Sequence, residues 1–141
     1  MVMKISPKDA GEYFRGLLLL IGKDHIITEP EKHLMKRIGK SLGFEREFCD
    51  NAIHDILENR FIVDAPPEFS SGALAMKFIK DALALAFSDD KLHLAEAEWL
   101  RSTAEKNGLD PEWYAREWER ATGSRGPSVH LEVDGITVEY H

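Results

Sequence analysis

Two acidic pairs, each spaced seven residues apart, are the residues of this chain best suited to chemistry. Asp24 and Glu31 make the first pair. Asp89 and Glu96 make the second, with Asp90 and His93 between them. Hard carboxylate oxygens flanking a turn at a helix start suit Ca²⁺, Mg²⁺ or Mn²⁺. The His93 imidazole beside three carboxylates would turn the second cluster toward a transition metal. Each group also has a plain structural use. A Glu at the third helical position closes a capping box, an Asp in a turn bonds its own backbone, and His93 can serve as an exposed cap substitute. An EF-hand does not fit, because Asp89-Asp90-Lys91-Leu92-His93 lacks the alternate ligands and the glycine at the sixth place.

Little else in the sequence is reactive. There is no nucleophile elbow, P-loop, Rossmann fingerprint or HExxH, and the six histidines have no zinc spacing. Cys49 is the only cysteine, which excludes an intramolecular disulfide and suits a reducing compartment. It lies beside Phe48 in an amphipathic stretch and reads as a core filler. Trp99, Trp113, Tyr114 and Trp118 could line a small-molecule pocket, but aromatics at helical spacing are usually core. The net charge of −7 argues against a nucleic-acid partner, and Lys36, Arg37 and Lys40 read as one solvated helix face. With 43% hydrophobic and 30% charged residues the composition is globular. The longest apolar run, Leu17 to Ile21, is too short for an export signal or a membrane span, so the expected location is the cytoplasm.

The elements that hold the acidic pairs occur twice. Lys23 to Glu31 returns as Ser88 to Glu96, and the 65-residue offset also carries Gly43 onto Gly108, Glu47 onto Glu112, Leu34 onto Trp99 and Phe48 onto Trp113. Ser6-Pro7 starts a first helix by the cap-then-proline rule, and Leu17 to Ile21 makes it central and buried. Thr28-Glu29-Pro30-Glu31 starts a second helix with a capping box, ended by Gly43 in the left-handed region. A third runs from about Glu45 to Asn59, with Phe48, Cys49, Ala52, Ile53, Ile56 and Leu57 on its inner face. Phe61 to Ser70 is the connector. Helices over about 71–87, 94–107 and from Asp110-Pro111 to near Ala121 replay the set.

The period changes at the C-terminus. Val129, Leu131 and Val133 alternate with polar residues, Asp134-Gly135 follows, and Ile136, Val138 and Tyr140 alternate again. Asp-Gly between two such runs predicts a β-hairpin with a type I′ turn, pairing Val133 with Ile136 and Leu131 with Val138. Its apolar face must be covered by the chain's own helices, by the same hairpin of a second copy in a homodimer, or by a partner.

The repeated junction resembles the TerB-like (tellurite resistance, DjlA N-terminal-like) helical family. Asp24, Ile27, Thr28 and Glu31 match its motif in the first copy. Asp89, Leu92 and Glu96 match in the second, followed by Trp99-Leu100 and the Asn107-Gly108-Leu109 stop. The resemblance covers about residues 8–121. The family's usual glycine is replaced by His25 and Asp90, and its hydroxyl cap by His93. The resemblance implies an all-helical cytoplasmic domain with stress or tellurite-resistance associations, acidic residues suspected of holding a divalent cation, and no reaction.

The expected fold is therefore all-α. Two pseudo-repeated three-helix units, about 8–57 and 73–122, form one bundle within a domain of residues 1–123. Residues 124–141 add a linker and the hairpin. The expected function is a non-catalytic module that binds a protein partner, tuned by a divalent cation. A metal-dependent enzyme using the paired carboxylates is the competing reading.

Overall fold

The computed structural model describes residues 3–22, 27–58, 65–87, 94–123 and 131–139. It is mostly helical. A short strand β1 (Met3–Ile5) precedes α1 (Pro7–Ile21), α2 (Glu29–Ser41) and α3 (Arg46–Glu58). After the connector come α4 (Gly72–Ala86), α5 (Leu94–Lys106) and α6 (Pro111–Gly123). A 3₁₀ turn (Glu132–Gly135) and strand β2 (Ile136–Val138) close the chain.

The start signals act as their chemistry requires. Ser6 accepts a hydrogen bond from the Asp9 amide, with Pro7 in the first turn of α1. Ser71 does the same for the Leu74 amide of α4. Asp110 accepts from the Glu112 amide ahead of α6, at 2.9 Å. The stops are paired as well. Gly43 and Gly108 both hold positive φ, 86° and 70°, where a side chain would be strained. Each helix of the first half has the same length as its counterpart in the second, displaced by 65 residues.

The core is built on α1 and α4, which pack against each other. The first gathers α2 and α3 around it, the second α5 and α6. Both central helices are buried on almost every side, which their apolar runs Leu17–Ile21 and Ala82–Ala86 require. Gly16 lets them meet: a Cβ there would stand 2.8 Å from the Phe78 ring and from Pro67. Tyr13 packs edge-on against Phe78 with ring centroids 5.4 Å apart. The end of the connector is fastened to both halves. Asp9 on α1 accepts from the Ser70 amide and hydroxyl, and Asn107 bonds the Phe69 amide and the Pro67 carbonyl. Cys49 is buried, against the space that Gly39 leaves, as expected of a core filler.

The C-terminal segment is not a hairpin. Residues 132–135 form the 3₁₀ turn, and β2 pairs in parallel with β1, Met3 opposite Ile136 and Ile5 opposite Val138. Gly135 is not among the positive-φ glycines, so the type I′ turn, which needs positive φ at both central residues, does not form. Tertiary contacts override the local signal. The Glu132 and Val133 amides donate to Asp81, and the Asp134 carboxylate accepts from Arg37 and from Ser41. Leu131 and Val133 are fully buried and Ile136 nearly so. The chain's own helices therefore cover this apolar face over the described residues. Val129, His130 and Tyr140, also assigned to the hairpin, lie outside those residues.

Candidate functional site

The two acidic junctions are described only in part. Asp24, Asp89, Asp90 and His93 lie outside the described residues, while Glu31 and Glu96 lie within them and are both buried. Glu31 does what its position in the sequence asks. Its Oε1 accepts from the Thr28 amide at 2.9 Å and the Thr28 hydroxyl at 3.0 Å, while Thr28 Oγ1 accepts from the Glu31 amide at 3.3 Å. This is the complete capping box. Glu96 sits in the first turn of α5, at the corresponding place. Among the described residues no group of three or more His, Cys, Asp or Glu side chains could hold a metal ion.

The aromatic cluster serves packing. Trp99 is buried, and Trp113, Tyr114 and Trp118 are half-buried against the core. Trp118 meets Phe87 edge-on at 5.5 Å. Burial lifts the Tyr114 hydroxyl to a pKa of about 12, so it stays protonated at any ordinary pH.

An apolar groove opens between α1 and α3, with a volume of about 510 Å³. Phe14, Leu18 and Leu19 form its floor from α1, and Phe48, Ala52 and Ile56 its wall from α3. Phe44 joins Phe14 and Phe48 in an aromatic triad, with centroids 5.1–6.1 Å apart. Arg15, Asn51 and Asp55 supply polar groups at the lining. Gly11 leaves the groove open at one end, since a Cβ there would touch nothing within 4 Å. Sequence periodicity puts Phe48 on the inner face of α3. The structure corrects this: Phe48 is 52% exposed, because the i, i+4, i+8 stripe Phe48–Ala52–Ile56 overhangs the groove while Cys49 and Ile53 face the core. An exposed Phe beside further apolar surface and a few polar groups is the composition of a recognition site.

The residue that sequence reasoning misses is Asp81. It lies on α4 with no solvent exposure. Its Oδ2 accepts from the Tyr13 hydroxyl at 2.6 Å and the Val133 amide at 3.0 Å, and its Oδ1 accepts from the Glu132 amide at 2.6 Å. Burial raises its pKa from 3.8 to about 6, the three hydrogen bonds pull it back, and the nearby Glu132 carboxylate adds to the rise. Burial and Asp81 together hold the Tyr13 hydroxyl well above its ordinary range. The one signal in the sequence is the single carboxylate of α4, set beside Lys80 just before the apolar run Ala82 to Phe87, where a buried charge needs a partner. The cluster ties three parts of the chain together: α1, α4 and the C-terminal segment meet at one carboxylate.

No helix among the described residues is long and apolar enough to cross a membrane. Comparison with protein-family models, with curated proteins and with solved structures finds no match to this chain.

Proposed function

We propose that the chain is a non-catalytic, cytoplasmic TerB-like module that binds a partner protein, and that the α1/α3 groove receives the partner. The observation that carries this reading is the exposed Phe48 over an open apolar groove. The occupant is a basic segment with an apolar face. In α3 the four carboxylates Glu47, Asp50, Asp55 and Glu58 outnumber the one arginine, Arg46; Asp55 lines the groove, Asp50 pairs with Lys36 of α2, and the whole chain carries −7. Complementary charge steers such a partner, while the aromatic floor supplies the affinity. On this reading the two halves are one three-helix unit used twice, in keeping with their matched helix lengths and stops. The first copy keeps Gly11 where the second has Met76, which leaves open space at the first groove. A divalent cation at Asp24 with Glu31, and at Asp89, Asp90 and His93 with Glu96, would tune the module through its helix starts. The stress and tellurite-resistance role rests on the motif resemblance alone.

The test is titration of the isotope-labelled chain with a synthetic amphipathic peptide of Lys and Leu, beside its Glu and Leu counterpart. The Lys peptide should shift the amide resonances of Arg15, Phe48, Asn51 and Asp55, and the Glu peptide should not. Phe48→Glu places a charge in the groove, and Gly11→Leu fills its open end. Either should abolish the shifts while the rest of the spectrum stays native. Shifts elsewhere only, or equal shifts with both peptides, would overturn the reading.

A further inference from the structure

The C-terminal segment sits in its cleft as a bound peptide sits in a recognition domain. Three features show it. First, β2 adds a parallel strand to β1, and the Glu139 amide donates to the Ile5 carbonyl at 2.9 Å, so main-chain bonds supply part of the grip. Second, apolar side chains plug the cleft: Leu131, Val133 and Ile136 are buried, while Glu132 between them is half-buried and Asp134 and Thr137 are exposed. Third, polar anchors fix the register. Asp81 takes two successive amides, Lys77 and Lys80 reach the Glu132 carboxylate at 3.3 and 3.7 Å, and Arg37 pairs with Asp134. The main neighbours of the segment are α2, α4 and β1, rather than α6, the helix that it follows. Seven residues, Ser124 to His130, join the two in sequence, with Gly126-Pro127 among them.

We propose that the cleft between α2 and α4 is a peptide-recognition site, which the C-terminal segment of a second copy of this chain can enter in place of the chain's own. Every contact that seats the segment is between elements separated widely in sequence. An identical segment from another copy therefore makes the same contacts, and only the connection through residues 124–130 differs. Such an exchange creates no new interface and leaves no new surface bare, which is why swapping a terminal element is a low-cost route to a dimer. In the monomer the tether raises the local concentration of the chain's own segment, so exchange grows with protein concentration.

The test uses the full chain. Two populations, one labelled with a donor fluorophore and one with an acceptor, are mixed at rising concentration, and dimer is followed by sedimentation. Energy transfer should grow together with the dimer. A synthetic peptide of residues 129–139 should enter the cleft and suppress both. The same peptide with Val133→Asp must bury a charge in the place of a fully buried Val133, and should bind the wild-type chain about 100-fold more weakly or worse. This control leaves the chain unaltered, so folding of a variant is not in question. The peptide with Glu132→Lys, which sets a cation against Lys77 and Lys80, should likewise bind the wild-type chain more weakly than the chain's own segment does and leave peptide binding at the α1/α3 groove unchanged. Absence of energy transfer at every concentration, together with no uptake of the peptide, would show that the segment is a fixed part of its own fold. Dimer formation that the wild-type peptide does not suppress would place the contact elsewhere. Either result overturns the proposal without touching the groove reading.

Discussion

Asp81 sets the sharpest test at the scale of single residues. A carboxylate without solvent is costly, and here three donors compensate it: one phenol and two main-chain amides. The compensation is incomplete, so the folded protein holds the proton up to about pH 6, whereas an exposed Asp releases it near 3.8. Between those values the folded state binds more protons than the unfolded state, so stability falls as pH rises. The contribution of Asp81 is complete below pH 3.8 and is lost as pH passes 6. A rise of this size corresponds to roughly 3 kcal/mol at most. Urea unfolding of the wild type and of Asp81→Asn at pH 4, 5, 6 and 7 isolates this residue. The stability of the wild type relative to the variant should decline across that range. A relative stability that stays flat or rises would show that Asp81 is not held protonated by burial. No local pattern in the sequence announces this site. Its partners lie 68, 51 and 52 residues away, and only the one carboxylate of an otherwise apolar and basic helix hints that they exist.

Helix boundaries are the part of the molecule most legible in the sequence, because caps are local chemistry. Ser6-Pro7, Thr28 with Glu31, Gly43, Gly108 and Asp110-Pro111 each do in the structure what their types dictate. The C-terminal element is misread from sequence for the converse reason. Asp134-Gly135 is a strong hairpin signal in isolation, worth little against a buried carboxylate, Arg37, Ser41 and a waiting strand edge. The inner face of α3 is misread by one stripe, since periodicity finds an apolar arc but not which edge of it a neighbour leaves bare. The capping box gives the prediction at this scale. Glu31→Ala removes the acceptor for the Thr28 amide and should lower stability by about 0.5–2 kcal/mol, as lost caps do. Thermal unfolding with and without millimolar Ca²⁺, Mg²⁺ or Mn²⁺ separates the two roles of this carboxylate. If Glu31 is a cap alone, the loss is the same in every buffer. If it is also a ligand, the ion stabilises the wild type and not the variant, since an ion bound only by the folded state raises its stability.

For the whole molecule, two short segments far apart in sequence close the fold. Met3–Ile5 and Ile136–Val138 pair across nearly the full length of the sequence, and Lys4 meets Glu139 at 3.6 Å over that joint. The sheet has two strands of three residues each, too little to stand alone in water, so it exists because Leu131, Val133 and Ile136 are anchored in the helical core. Those three side chains and the cleft they fill belong to the core of residues contributed by α1, α2 and α4. Truncation after Gly126 should therefore do more than shorten a tail. It bares the apolar walls of the cleft and leaves Tyr13 and Asp81 without the backbone amides that complete their network. The cost should reach at least about 2 kcal/mol, the worth of one large buried side chain. Amide exchange should quicken along α4 around Asp81 and along β1, with α5 and α6 less affected. If the truncated chain kept the wild-type urea midpoint and the same exchange pattern, the segment would contribute nothing to the folded helices. A lower midpoint with a native helical spectrum is the expected result, because the caps of α1, α2, α4 and α6 lie outside the removed segment while the cleft loses its filling.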